Sequence, residues 1–282
     1  MATLSSADRA LLESPLPPLR RAALPDGGEI EYRCAGQDGP TIILLHGIGS
    51  NAGGFRAQFA GLANRFRVFA WNAPGYGAST PLAGPEPAVE DYASQLHRWM
   101  QTLDSSPVHV LGCSWGTLIA NAYAAGYPGA VRSVVLAAPT RGYGTLEPAE
   151  KSRRIAARLA PEARTLAPAV RAAQFLGPAP DALVIKRFGQ LSEAVRVDGL
   201  AQATRMLFAT DGIALAGTSA APTLILAGSH DQVAPAAEHA WALRAAMPQA
   251  ESAMLEGCGH ILKLETPSRF NQQVIDFVHK HL

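Results

Sequence analysis

Five short, largely apolar runs constrain this chain more than any other feature. They are Thr41–His46 (TIILLH), Arg67–Trp71 (RVFAW), Val108–Cys113 (VHVLGC), Val131–Ala137 (VRSVVLA) and Pro222–Gly228 (PTLILAG). A strand with one wet face alternates apolar and polar side chains, whereas a strand covered on both faces does not. The runs therefore predict strands buried on both sides, and such a sheet needs helices against each face. The intervening segments supply them. Gly54–Asn64 places Phe55, Phe59 and Leu62 on one side of a helix, Val89–Leu103 reads as another, and Thr117–Tyr127 is a small-residue helix able to press closely on a sheet. A helix at Pro235–Ala246, a short strand around Ser252–Leu255 and a last helix at Thr266–His281 follow. Upstream, Glu29–Cys34 reads as a strand after a turn at Asp26-Gly27-Gly28, and the residues through Pro18 read as an arm outside the core. Strand alternating with helix predicts the α/β class, with a mostly parallel sheet flanked by helices.

The alternation breaks from about Glu147 to Leu215. There the pattern is helical, punctuated by Pro161, Pro168, Gly177-Pro178 and Pro180. The expected organisation is a core of residues 1–140 and 216–282 with a helical cap, 141–215, inserted in it. Such a cap would cover the carboxyl ends of the strands, where open α/β sheets bind ligands. The chain has 282 residues, 48% of them apolar, with a formal net charge of +1. It is long enough for a large core and carries no basic run, so nucleic-acid binding is not expected. No apolar run is long enough to span a bilayer, and Met1–Arg20 lacks the apolar stretch of a signal peptide. A cytoplasmic protein with no membrane partner is expected; a homodimer is one option for its assembly. Cys34, Cys113 and Cys258 are too few for a disulfide framework, and no paired spacing suggests zinc. They read as packing residues.

Gly112-Cys113-Ser114-Trp115-Gly116 lies between a buried strand and a helix. A sharp strand-to-helix turn of this kind presents its serine, with Gly112 and Gly116 avoiding collisions with the neighbouring elements. The helix N-terminus favours negative charge developing beside Ser114. A serine hydroxyl is a poor nucleophile without a base, and the base needs an orienting acid. His260, on the glycine-lined loop Gly257-Cys258-Gly259-His260, is the candidate base, with His230 its nearest rival. Asp231 follows PTLILAG and is the candidate acid. Asp211 is its rival, and the preceding strand ends in Ala137-Ala138-Pro139-Thr140 without a carboxylate. An oxyanion would need backbone amides. One is that of Trp115; the other belongs to His46-Gly47-Ile48-Gly49-Ser50, where His46 and Gly47 shape the loop.

Taken together, HGIGS, WNAPGYGAS (Trp71–Ser79), GCSWG, GSHDQVAP and GCGH resemble the α/β-hydrolase superfamily over about Glu29–Leu282. The resemblance implies an eight-stranded, mostly parallel sheet whose second strand is antiparallel, and it marks Ile48 as the second oxyanion donor. The Ala-Pro-Gly-Tyr-Gly segment and Gly199–Ala203 resemble 3-oxoadipate enol-lactonases and the carbon–carbon bond hydrolases of aromatic degradation. Ser114 stands where haloalkane dehalogenases and epoxide hydrolases carry aspartate. The expected activity is hydrolysis of a carboxylic ester or lactone of small size, with no metal or organic cofactor. Carbon–carbon bond hydrolysis, acyl transfer and non-catalytic ligand binding are the alternatives. Arg141, past the strand end at Thr140, is a candidate for meeting a substrate carboxylate.

Overall fold

The computed structural model describes residues 4–282 apart from 26, 104, 162–167 and 194; the turn expected at Asp26 thus lies partly outside the described residues. Eight strands form one sheet: β1 Leu19–Ala23, β2 Glu29–Ala35, β3 Thr41–Leu45, β4 Arg67–Trp71, β5 Val108–Cys113, β6 Val131–Ala137, β7 Thr223–Gly228 and β8 Glu251–Leu255. Their order is β1-β2-β4-β3-β5-β6-β7-β8. The second strand runs antiparallel to both its neighbours, and all other pairs are parallel. Every residue of β3 and β7 is buried, as their unbroken apolar sequences require.

Twelve helices are described: α1 Ser6–Glu13, α2 Arg56–Leu62, α3 Val89–Thr102, α4 Gly116–Gly126, α5 Pro148–Leu159, α6 Pro168–Phe175, α7 Ala182–Gly189, α8 Val197–Ala209, α9 Gly212–Ala216, α10 Ala240–Ala246, α11 Leu262–Glu265 and α12 Pro267–His279. Trp71, Trp99, Trp115 and Tyr123 pack with α3 and α4 on one face of the sheet. Phe55, Phe59, Phe270 and Val274 pack with α2 and α12 on the other. The small residues of α4 let it lie so close that Gly116 through Ala124 are all buried. Between β6 and β7 the described residues carry α5–α9 and a short 3₁₀ turn, Gln190–Ser192. Their one sheet-like contact outside the named strands is an isolated bridge from Val195 to Tyr76. No described helix is long and apolar enough to cross a membrane.

Three elements differ from the sequence reading. The amino-terminal arm contains α1, capped by the Ser5 side chain, and it places Leu12 fully buried against Leu176, Val184 and Phe188. Strand β1 (LRRAA) has no apolar run; it forms by antiparallel pairing with β2 at the sheet edge. The helix expected from Pro235 begins only at Ala240, because the Asp231 carboxylate takes the amides of Val233 and Ala234 and a turn bonded to the Pro235 carbonyl follows.

The sheet order positions the site. Strand β5 lies beside β3, with Gly112 level with Leu45, and β4 lies on the far side of β3. The chain therefore leaves β3 and β5 in opposite directions. That divergence opens a crevice at their carboxyl ends.

Candidate active site

Ser114 is the first residue after β5, and its φ is +51°. A residue with a side chain rarely adopts this left-handed conformation, which costs about 1–3 kcal/mol and persists only where the surroundings impose it. Here they do. The Ser114 amide donates to Ala137 O at 2.9 Å, and its carbonyl accepts from Thr117 N at 3.0 Å. The flanking glycines make the turn sterically feasible. A Cβ on Gly112 would lie 2.4 Å from Gly116 O, and one on Gly116 would lie 2.6 Å from Leu45 O. Gly47 is pressed against the serine as well, since a Cβ there would stand 3.2 Å from Ser114 Cβ.

His260 and Asp231 meet from different strand ends. His260 Nδ1 stands 2.7 Å from Asp231 Oδ2, and both side chains are almost fully buried. The second carboxylate oxygen, Oδ1, accepts from Val233 N at 2.9 Å and Ala234 N at 2.8 Å. Asp231 is thus locked in orientation, and the imidazole must donate from Nδ1, leaving Nε2 unprotonated when the ring is neutral. The His260 amide donates to Phe175 O at 2.6 Å, tying the loop to the end of α6. Glu265 reinforces that joint by accepting from Gly177 N at 2.6 Å, Gly259 N at 3.0 Å and Ile261 N at 3.2 Å. Burial nevertheless holds its carboxyl above the usual range. Sequence reasoning missed Glu265; its one legible signal was an acid placed five residues beyond the candidate base.

The loop after β3 is held by His46. The ring is fully buried, donates from Nδ1 to Gly47 O at 2.9 Å and accepts at Nε2 from Ala73 N at 3.0 Å. Burial lowers its pKa from 6.5 to about 4. The ring is therefore neutral at pH 7 and spans two loops. Among the described residues, the amides of Ile48 and Trp115 donate to no backbone or side-chain acceptor. The Trp115 indole is buried in the core and packs edge-on against Tyr92.

A cavity of about 450 Å³ opens at these strand ends, lined in part by Ile48, Ser50, Ser114, Phe175 and His260. Ser114 and His260 thus face one space, with Asp231 directly behind His260. Other sequence candidates stand elsewhere. Asp211 caps α9 by accepting from Ile213 N and Ala214 N. His230 is exposed and contacts Ser229. Arg141 does not line the cavity: the chain there is turned by its amide donating to His239 Nδ1 and by its carbonyl accepting from Gly212 N. Cys113 lines the cavity and Cys258 is buried; burial raises both thiols, that of Cys258 to about 12, so both are protonated near neutral pH. No group of residues with metal-binding geometry occurs among those described.

Known proteins share this architecture. A family profile described as the alpha/beta hydrolase fold matches residues 40–267. The pimeloyl-[acyl-carrier protein] methyl ester esterase of Chromobacterium violaceum is 32% identical over 223 residues, covering 75% of this chain and 84% of that protein. The 2-hydroxy-6-oxononadienedioate/2-hydroxy-6-oxononatrienedioate hydrolase of Paraburkholderia xenovorans is 28% identical over 273 residues, covering 89% and 90%. The crystal structure of a hydrolase from Pseudomonas aeruginosa PA01 superposes with a TM-score of 0.80 at 28% identity, covering 92% of this chain and 98% of that one. With sheet order, turn geometry and profile in agreement, the chain belongs to the α/β-hydrolase fold family.

Proposed function

We propose that this protein is a serine hydrolase cleaving a carboxylic ester or lactone through Ser114, His260 and Asp231. The observation that carries the reading is the 2.7 Å contact from His260 Nδ1 to Asp231, with Nε2 left for a serine held at φ +51° on the same cavity. In the first half-reaction Ser114 Oγ attacks the carbonyl carbon while His260 Nε2 takes the hydroxyl proton. The carbonyl oxygen becomes an oxyanion and receives the amides of Ile48 and Trp115. Asp231 holds the imidazole orientation and stabilises its charged form. His260 then gives its proton to the leaving oxygen, and an acyl-serine remains. In the second half, water loses a proton to His260 and attacks the acyl carbon; Ser114 regains its hydrogen and the acid departs.

Ser114→Ala tests the reading. Turnover of 4-nitrophenyl acetate should fall by several orders of magnitude with the circular dichroism spectrum unchanged. Turnover near the parental rate would sink the assignment. The similarity to the Paraburkholderia xenovorans hydrolase favours a second reading, hydrolysis of a carbon–carbon bond in a ring-cleavage diketone. A panel of such diketones against lactones of similar size separates the two.

A further inference from the structure

The cavity has an unbalanced charge. Arg158 on α5, Arg171 on α6 and Lys263 on α11 line it, and among the described residues no aspartate or glutamate does. The lysine is the most unusual of the three. It is 5% exposed, and its Nζ has no hydrogen-bond partner among the described residues. It sits 3.9 Å from the centroid of the Phe55 ring. Ser50 Oγ, on the loop after β3, is likewise buried without a partner. Both atoms lie 3.0 Å from the point where a Cβ on Gly54 would stand, so two unsatisfied polar groups converge at one edge of the cavity.

The arginines come from two of the helices between β6 and β7. On α5, Arg153 and Arg154 both pair with Glu150, whereas Arg158 pairs with no carboxylate among the described residues and feels Tyr76 and Tyr143 electrostatically. Arg171 stacks over Phe188 at 5.5 Å and reaches Ser192 Oγ at only 3.4 Å. A buried ammonium without a counter-charge costs several kcal/mol. Such a cost is offset when a ligand brings the missing anion, and a guanidinium fork matches a carboxylate in shape as well as charge. The cavity volume suits a small organic molecule rather than a macromolecular segment.

We propose that the substrate carries a carboxylate of its own, bound by Lys263, Arg158 and Arg171, while its ester or lactone group lies at Ser114. The second half of this statement rests on the hydrolase reading; the carboxylate site does not. Two measurements test them separately. The first compares kcat/KM for mono-4-nitrophenyl adipate and 4-nitrophenyl hexanoate, which share a chain length and differ by one carboxylate. The carboxylated ester should be favoured by about tenfold or more, and the preference should shrink about tenfold in Arg158→Gln and in Lys263→Met. A preference of one or less in the parent, or variants that lower both esters in proportion, would overturn the proposal. The second is calorimetry on Ser114→Ala, which needs no turnover. Adipate should bind and the neutral adipamide should not, with adipate affinity falling about tenfold on adding Arg158→Gln. Equal binding of adipate and adipamide removes the carboxylate site even if both esters are hydrolysed. Adipate binding that depends on Arg158, with neither ester hydrolysed, keeps the site and removes the hydrolase reading.

Discussion

Acid should weaken this fold in part through one fully buried ring, that of His46. In the native state the imidazole is fully buried and neutral, and its pKa falls from 6.5 to about 4. Unfolded, it regains the ordinary value. Between those two values the unfolded chain binds more protons than the folded one, so stability must decrease as pH falls through the window. For a group shifted this far, the linkage relation gives a loss of about 2 kcal/mol between pH 7 and pH 5, and about 3 kcal/mol once pH is well below 4. His46→Gln removes the titration. A glutamine oxygen can still accept from Ala73 N, so the variant loses mainly the bond to Gly47 O, about 1 kcal/mol. Urea denaturation of parent and variant at pH 7 and pH 5 measures the difference. The parent should be the more stable at pH 7 and should lose its lead, or fall behind, at pH 5. Parallel losses in the two proteins would refute the argument, because they would place the acid sensitivity elsewhere. His109, lowered to about 4 by burial, and His239, also lowered by burial, remain in both proteins and contribute to the slope left in the variant.

Two further outcomes follow from the same geometry. Glu265→Gln keeps the volume but turns an NH₂ toward amides that the carboxylate accepts from, so it should cost about 2 kcal/mol in urea and lower kcat by loosening the His260 loop. The parent carboxyl is raised above 4.5, so folding favours its protonated form and the parent's advantage over the variant should narrow as pH rises above 4.5; an advantage that widens would contradict this. Leu12→Ala should cost about 2–5 kcal/mol, because the side chain is fully buried between α1 and the helices around Leu176 and Phe188. Hydrogen exchange should then rise in α7 before it rises in β3 or β5, and a uniform rise would show that α1 does not hold that region.

The readable and unreadable parts of this molecule differ in one physical respect. Strands β3 and β7 were legible because burial on both faces leaves a local mark, a short apolar run, and β5 and β6 carry the same mark broken only by His109 and by Arg132 and Ser133. Ser114 was legible because a sharp turn between strand and helix demands glycines at Gly112 and Gly116, and the register of β3 with β5 then sets Gly47 against it. Strand β1 left no such mark, since its pairing with β2 is what makes it a strand. The same holds for the cavity charges. Lys263 stands in Ile261-Leu262-Lys263-Leu264, which reads as an ordinary amphipathic stretch with its lysine in water. Arg158 lies in a helix that also carries Arg153 and Arg154, and no spacing rule says which arginine turns inward. That choice depends on Glu150 claiming the other two and on Tyr76 and Tyr143 lying beside the third. Residues more than a hundred positions apart must meet before their charges can act together on one ligand. On the proposed reading, bond-breaking chemistry rests on residues at strand ends, and it is the part of function that local sequence records. Selection of a substrate would rest on side chains such as Arg158 and Arg171, which the helices between β6 and β7 bring to the cavity, and only the folded chain displays that.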